Sequence, residues 1–243
     1  MEPNNQSQSP TPGQKLFLAL ERSLNAVFGD RLNPLYNLGT VAYFLIWIVM
    51  LTGLYLYAFF QTSVVHAYSS VEAVTQGHFY LGGIIRSLHR YASDALVLVV
   101  LLHMARHFVF NRHRGFRWFS WVSGVALLWL TYVSGVNGYM LPWDRLSQFV
   151  VTTTTEWMDV LPVIGGSMTR NFISNANVSD RLFSLLAFMH IGIPLTLLAV
   201  LWVHTQRVPD ARTRPPRELA VTLLAVLVLL SLVKPALSQA PAD

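Results

Sequence analysis

Four histidines occur at equal intervals within two apolar stretches of the sequence. His89 and His103 are 14 positions apart, and His190 and His204 are also 14 positions apart. In an α-helix, 14 residues rise about 21 Å and return to within about 40° of the same face. Each stretch therefore predicts a helix that presents two imidazoles along one stripe, one near each end.

Two such helices that run in the same direction would bring the imidazoles into two opposed pairs. His89 would then face His190, and the pair at the other end would be His103 and His204. Two trans imidazoles are the axial ligands of a six-coordinate haem, and bundle cores commonly hold cofactors. Zinc is a weaker possibility, because it would need further ligands and only Asp94 is an acidic residue near that depth. Polar contacts within the bundle are a third possibility, although two matched pairs of costly ionisable groups favour a functional role.

Glycines repeat the same interval in two further apolar stretches. Gly39 and Gly53 are 14 positions apart, as are Gly124 and Gly138. Because glycine lacks a Cβ, it would let a flat macrocycle approach the helix backbone closely. The alternative is that these glycines only promote helix packing.

An arginine lies three positions from one histidine of each predicted pair, on the side of the nearer helix end. Arg86 precedes His89, and Arg106 follows His103. A guanidinium there could bind the carboxylates of a haem propionate bidentately. It could equally extend from the helix end to water.

The composition indicates an integral membrane protein. Of the 243 residues, 53% are hydrophobic and 12% are charged, and the mean hydropathy is +0.44. Five apolar runs approach the length that spans a hydrocarbon core of about 30 Å. They are about Thr40–Phe60, His89–Val109, Ser120–Met140, Leu182–His204 and Leu219–Val233, of which the last is the shortest.

The basic residues are concentrated in alternate loops, so the net charge of +5 does not indicate nucleic-acid binding. By the positive-inside rule the N-terminus is cytoplasmic, and spans two and four both run from the outside inward. Residues 15–32 predict an amphipathic helix on the membrane surface. The predicted fold is an all-α integral membrane protein with a four-helix transmembrane bundle, a fifth transmembrane helix and this surface helix. The predicted units are a polar N-terminus with the surface helix over 1–34, a four-helix domain over 35–207, and a linker with a short fifth helix over 208–243.

Several short motifs around these residues resemble the N-terminal half of cytochrome b from the quinol–cytochrome c oxidoreductases, the cytochrome bc complexes. The resemblance runs from about Leu24 to Arg207, and its motifs occur in the family's order. They are "YNLGT", "GGIIRSLHRYASDALVLVVLLHMARHF", "RWFSWVSG", "GYMLPWDRLS" and "PVIGG".

The resemblance implies a role for each of the residues above. It implies that His89 and His190 hold a low-potential b-type haem on the outer side, and that the other two histidines hold a high-potential b-type haem on the cytoplasmic side. Arg86 and Arg106 match positions that contact propionates, and the four spaced glycines match positions that pack against haem. An outer quinol pocket is implied over Tyr139 to about Thr155, with Tyr139 and Phe149 as quinone-contacting residues. A cytoplasmic quinone site is implied near the second haem.

The chain departs from the family pattern in ways that bear on its partners. The quinol-site motif Pro-Glu-Trp-Tyr is absent from the sequence. There is no cysteine for the additional haem of the photosynthetic branch, and the span-four histidines keep the respiratory spacing of 14. The motif is therefore expected on a separate C-terminal cytochrome b subunit.

The resulting interpretation is a diheme electron-transfer subunit that is catalytic only as part of a quinol oxidoreductase complex. Its expected partners are membrane lipid, a Rieske iron–sulfur subunit, a c-type cytochrome subunit and a second copy in a homodimer, with no nucleic acid. The expected location is a bacterial cytoplasmic membrane. One alternative is the diheme membrane anchor of another quinone-linked dehydrogenase or reductase, served by a different peripheral redox subunit. Another is a transporter whose histidines relay protons, which would bind no haem.

Overall fold

The structure, a computed structural model, describes residues 9–77, 80–158, 160, 173–174, 177–178, 180–208 and 211–241. These residues form eight α-helices and one short antiparallel pair of strands, β1 (Ile173–Ser174) and β2 (Asn177–Val178). The helices are α1 (Pro12–Leu32), α2 (Leu38–Phe59), α3 (Ala67–Gln76), α4 (Leu81–Val109), α5 (Trp118–Met140), α6 (Arg145–Met158), α7 (Asp180–Gln206) and α8 (Arg217–Val233). The "PVIGG" motif lies outside the described residues.

Four helices of the described residues are long and apolar enough to cross a membrane, which confirms the predicted all-α membrane fold. They are Leu38–Phe59, Leu81–Val109, Gly115–Met140 and Phe183–Gln206. The fifth apolar run forms α8, whose 17 residues stand at the short limit of the length that spans a bilayer. That α8 spans the membrane stays a prediction.

The spanning helices are arranged as two pairs. α2 packs along α4, and α5 packs along α7, whereas α4 and α5 make fewer contacts with each other. Between the helix ends the bundle is filled by aliphatic side chains. Leu45 of α2 and Ala92 of α4 are fully buried there, and Leu96 and Leu127 belong to the same cluster. Pro194 lies inside α7, which membrane helices tolerate because neighbouring groups satisfy the freed backbone carbonyl.

The two ends of the bundle carry different surface helices. The end that we call the α1 end carries α1, which docks on the last turn of α4 through a hydrogen bond from Gln14 Nε2 to the Val109 carbonyl (3.0 Å). The opposite end, called the α6 end, carries α3 and α6. The start of α7 is tied to this end, because the Asp180 carboxylate accepts the Val64 N–H (2.8 Å). α4 and α7 therefore run in the same direction, as the histidine pairing requires.

α1 begins with a capping box and ends in a buried amide network. Thr11 and Gln14 cap each other's backbone N–H at the first turn. At the other end the fully buried Asn33 donates to the Glu21 carbonyl (3.1 Å) and accepts the Leu35 N–H (2.9 Å). This network fixes how the surface helix turns into the first span.

Replacement of Asn33 by Ala is expected to destabilise the protein by about 1–3 kcal/mol, because a buried donor and acceptor lose their partner. Thermal unfolding of the purified protein in detergent measures the effect. Ser23→Ala is the matched control, since that hydroxyl is exposed and bonds only the Ala19 carbonyl in its own helix. Equal unfolding temperatures for the two variants would contradict the role assigned to Asn33.

Candidate functional site

The first predicted histidine pair is assembled at the α6-end side of the bundle. His89 of α4 and His190 of α7 face each other with ring centroids 6.2 Å apart and ring planes at 77°. If both rings bound one metal ion, their centroids would lie about 6 Å apart, because each metal–nitrogen bond is about 2 Å long and each nitrogen lies about 1 Å from its ring centroid. The spacing therefore fits two axial ligands of one central ion.

Hydrogen bonds fix which nitrogen of each ring in this pair remains available. His89 Nδ1 lies 3.1 Å from the Val49 carbonyl oxygen, and His190 Nδ1 lies 2.9 Å from the Ser134 carbonyl oxygen. A carbonyl only accepts, so Nδ1 carries the proton in both rings and Nε2 keeps its lone pair. Metal-binding histidines are commonly oriented in this way by a backbone carbonyl.

His204 has the same tautomer through a side chain. Its Nδ1 lies 2.8 Å from Ser123 Oγ, and the Ser123 hydroxyl donates to the Phe119 carbonyl (2.9 Å). The serine oxygen is thus the acceptor for the imidazole N–H, which leaves His204 Nε2 free.

His103 differs from the other three in its surroundings. Its ring meets that of His107 edge to face, with the two centroids 4.5 Å apart. The sequence interpretation did not assign His107. The signal that could have found it is its position one helical turn after His103 on the same helix.

Each of the four spaced glycines lies directly against one of the four histidines. A Cβ built on Gly53 would stand 3.0 Å from His89 Cε1, and one built on Gly39 would stand 3.2 Å from His103 Cε1. In the second helix pair a Cβ on Gly124 would stand 3.7 Å from His204 Cε1. A Cβ on Gly138 would overlap the ring of His190. The absent Cβ at these glycines leaves room for the neighbouring imidazole rings.

The two arginines beside the histidines are held by protein groups. Arg86 donates to Thr75 Oγ1 (2.6 Å) and to Ser238 Oγ (2.7 Å), and Glu72 lies 3.5 Å away. Its side chain is only 12% exposed. These partners compete with any propionate for the same N–H groups.

Arg106 occupies the corresponding position at the α1 end. Its guanidinium pairs with the buried Glu21 carboxylate at 2.8 Å and lies against the rings of Tyr36 and Phe110. Arg112 and Arg117 belong to the same positive cluster. Burial lowers the pKa of Arg112, and repulsion from the guanidinium groups of Arg106 and Arg117 lowers it further. The cluster as a whole would favour an anion at this end.

The two residues predicted to contact quinone lie on adjacent elements at the α6 end. The Tyr139 ring of α5 has the Arg90 guanidinium 4.7 Å above it, and Phe149 of α6 is 64% exposed. Two cavities of about 340 and 590 Å³ lie at the α1 end, between the first helices and the linker before α8. They share Arg214 and Pro215 in their walls, and the larger also reaches Tyr36 and Asn37.

The described residues provide no ligand set for zinc. They contain no group of three or more histidine, aspartate or glutamate side chains placed to hold a metal ion. Asp94, the acidic residue considered for that role, pairs with Arg90 at 3.0 Å.

Comparisons with known proteins bear on the family and the fold of this chain. A family model described as cytochrome b/b6/petB matches residues 24–209. A cytochrome b6 from Gracilaria tenuistipitata var. liui is 32% identical over 177 residues, which cover 71% of this chain and 80% of that protein. A solved structure titled hyperthermophilic respiratory Complex III superposes with a TM-score of 0.70 at 20% identity, which shows a shared fold. The match covers 86% of this chain and 63% of the chain in that structure.

Gly138→Ala is expected to lower the stability of the protein by about 1–3 kcal/mol, because the new methyl group would displace the His190 ring. Gly135→Ala on the same helix is the matched control, since a Cβ there meets nothing within 4 Å. Both changes raise helix propensity by the same amount, so the difference in unfolding temperature isolates the contact with the ring. An equally stable Gly138→Ala variant would contradict the contact.

Proposed function

Since this chain belongs to the cytochrome b family, the membrane electron-transfer subunits of bc-type complexes, we propose that it holds two b-type haems in line across the membrane. His89 and His190 would bind one haem, and His103 and His204 would bind the other. The chain is a multi-pass membrane protein, and membership of the family implies b-type haem. The number of haems and the identity of their ligands are the proposal.

The facing geometry of His89 and His190 is the observation that carries the proposal. Their centroid distance of 6.2 Å fits two axial bonds to one iron, and both rings have Nε2 free. The second pair is supported by the same helix register, since 14 residues along both α4 and α7 lead to His103 and His204. Each of these rings also has its own backing glycine.

Each bound haem would supply one-electron redox chemistry, with a potential set by its protein surroundings. The protein's own part is to hold the imidazole rings in place and to exclude water from the region between the two histidine pairs. Val49, Ser134 and Ser123 orient three of the imidazoles. Leu45, Ala92 and the aliphatic side chains around them fill the region between the two histidine pairs.

Charged groups at the two ends would receive the haem propionates. Arg106 with Arg112 and Arg117 would do so at the α1 end, where mutual repulsion of the guanidinium groups is relieved by an anion. Arg86 would do so at the α6 end, in part through the N–H groups that Thr75 and Ser238 do not use. Guanidinium is suited to this role because it binds carboxylates bidentately.

Quinone sites are proposed at both ends of the bundle. Tyr139, Phe149 and α6 would border a quinol pocket at the α6 end, which we assign to the outer side of a bacterial cytoplasmic membrane. The cavities beside α1 and α2 would belong to a site on the cytoplasmic side, together with the N-terminus. Electrons would leave through Rieske and c-type cytochrome subunits, and a separate chain would complete the quinol pocket. A homodimer is the proposed assembly.

The haem content of the purified protein tests this proposal. The expected result is two haems per chain with a b-type reduced-minus-oxidised spectrum, and one haem per chain in His190→Ala and in His204→Ala. His66→Ala is the control, because His66 lies at the start of α3, away from both pairs, and should keep both haems. A His204→Ala variant that retains two haems would refute the ligand assignment.

Ser123→Ala is expected to weaken binding of the α1-end haem by roughly 10–100-fold, because His204 loses the acceptor that orients its ring. The measurement is haem retention during titration with a competing haem-binding protein. Ser120→Ala, one turn earlier on α5, controls for loss of a serine hydroxyl. Equal retention in the two variants would show that Ser123 does not orient the ligand.

A further inference from the structure

Residues 234–241 follow α8 as an extended segment that crosses the α6 end of the bundle. At its start the Tyr91 hydroxyl of α4 donates to the Lys234 carbonyl (2.5 Å). Two residues later the Ala236 N–H donates to Ser87 Oγ (2.9 Å), and Ser87 is fully buried beneath the segment. The segment is therefore hydrogen-bonded along the helix face that carries Ser87 and Tyr91.

Further along, the same segment contacts α4 again and two other elements. Ser238 Oγ accepts from the Arg86 guanidinium (2.7 Å), and the Gln239 carbonyl accepts from the Tyr68 hydroxyl of α3 (3.1 Å). The Ala240 carbonyl accepts the Arg145 N–H at the start of α6 (3.1 Å). Segment 234–241 thus joins α3, α4 and α6.

Asp144 anchors the segment through its carboxylate. Its Oδ1 accepts both the N–H and the hydroxyl of Ser147 (2.9 and 2.8 Å), which caps α6. Its Oδ2 accepts the Gln239 N–H (2.9 Å). Burial acts to raise the pKa of Asp144, but these hydrogen bonds and the Arg86 charge outweigh it and hold the pKa below its ordinary value. The carboxylate therefore stays ionised near neutral pH and keeps both contacts.

Arg86 is held between this segment and α3. Thr75 Oγ1 and Ser238 Oγ bind different nitrogens of its guanidinium, Nη1 and Nη2. Because Arg86 precedes His89 by three residues, its charge is fixed about one helical turn from the first histidine pair. Without these contacts the long side chain would extend into water, where its field is screened.

We propose that segment 234–241 is a clasp that fixes the Arg86 charge beside the α6-end haem, with Ser238 and Asp144 as its positioning residues. The inference rests on the proposed function and adds a determinant of the haem's reduction potential. A fixed positive charge in a partly buried site favours the reduced haem, because reduction adds a negative charge. The protein thus uses residues about 150 positions after Arg86 in the sequence to tune the redox site.

The test combines a redox titration of both haems with hydrogen exchange of the segment, using Asp144→Asn and Ser238→Ala. Ser238→Ala changes no charge and is expected to shift the reduction equilibrium of the α6-end haem roughly twofold toward the oxidised form, because Arg86 is held less firmly. Asp144→Asn removes a negative charge, which by itself favours the reduced haem, so this variant tests the segment through hydrogen exchange alone. The amides of Ala236 and Gln239 should lose protection in Asp144→Asn.

The α1-end haem is an internal control, and its potential should not change in either variant. Ser69→Ala is the matched serine control, since that exposed hydroxyl bonds only the His66 carbonyl. An unchanged potential of the α6-end haem in Ser238→Ala would overturn the inference and leave the segment as packing alone. Unchanged exchange in Asp144→Asn would overturn it as well. A wild-type protein without haem would instead refute the proposed function.

Discussion

Imidazole rings buried in an apolar bundle need both space and a hydrogen-bond acceptor, and the rest of this structure depends on that constraint. A buried N–H without a partner is costly, and the rings of His89, His190 and His204 each reach a backbone carbonyl or a hydroxyl. A ring also fills more volume than the gap between two ordinary packed helices provides. Both needs are met by a neighbouring helix with glycine at the contact and an acceptor one turn away, as with Gly53 and Val49 around His89.

The pairing of helices follows from this constraint. α2 supplies the glycines that face the histidines of α4, and α5 supplies those that face the histidines of α7. Each pair is therefore a unit in which one helix carries the ligands and the other supports them. The two units approach each other where His89 faces His190. The surface helices and segment 234–241 then close the two ends and place charge there.

Much of the site could be predicted from spacing alone, because periodicity reports which residues share a helix face. The equal intervals of the histidines predicted two facing pairs, and the structure brings His89 to face His190. That these residues bind haem stays a prediction. The contact of each glycine with a histidine ring could not be predicted, because it depends on how the helices pack against each other. The hydrogen-bond partners of Arg86 and Arg106 could not be predicted from the sequence either. Ser238 and Glu21 lie far from them in the sequence, and no local pattern links such residues.

The central claim is that two imidazoles at 77° to each other bind one iron, and electron paramagnetic resonance of the oxidised protein tests it most directly. Nearly perpendicular imidazoles predict a low-spin ferric haem with a highly anisotropic signal, and His190→Ala, which should lose this haem, should remove that signal and leave only the signal of the second haem. A high-spin signal in the unaltered protein, or a highly anisotropic signal of undiminished intensity in His190→Ala, would contradict the account.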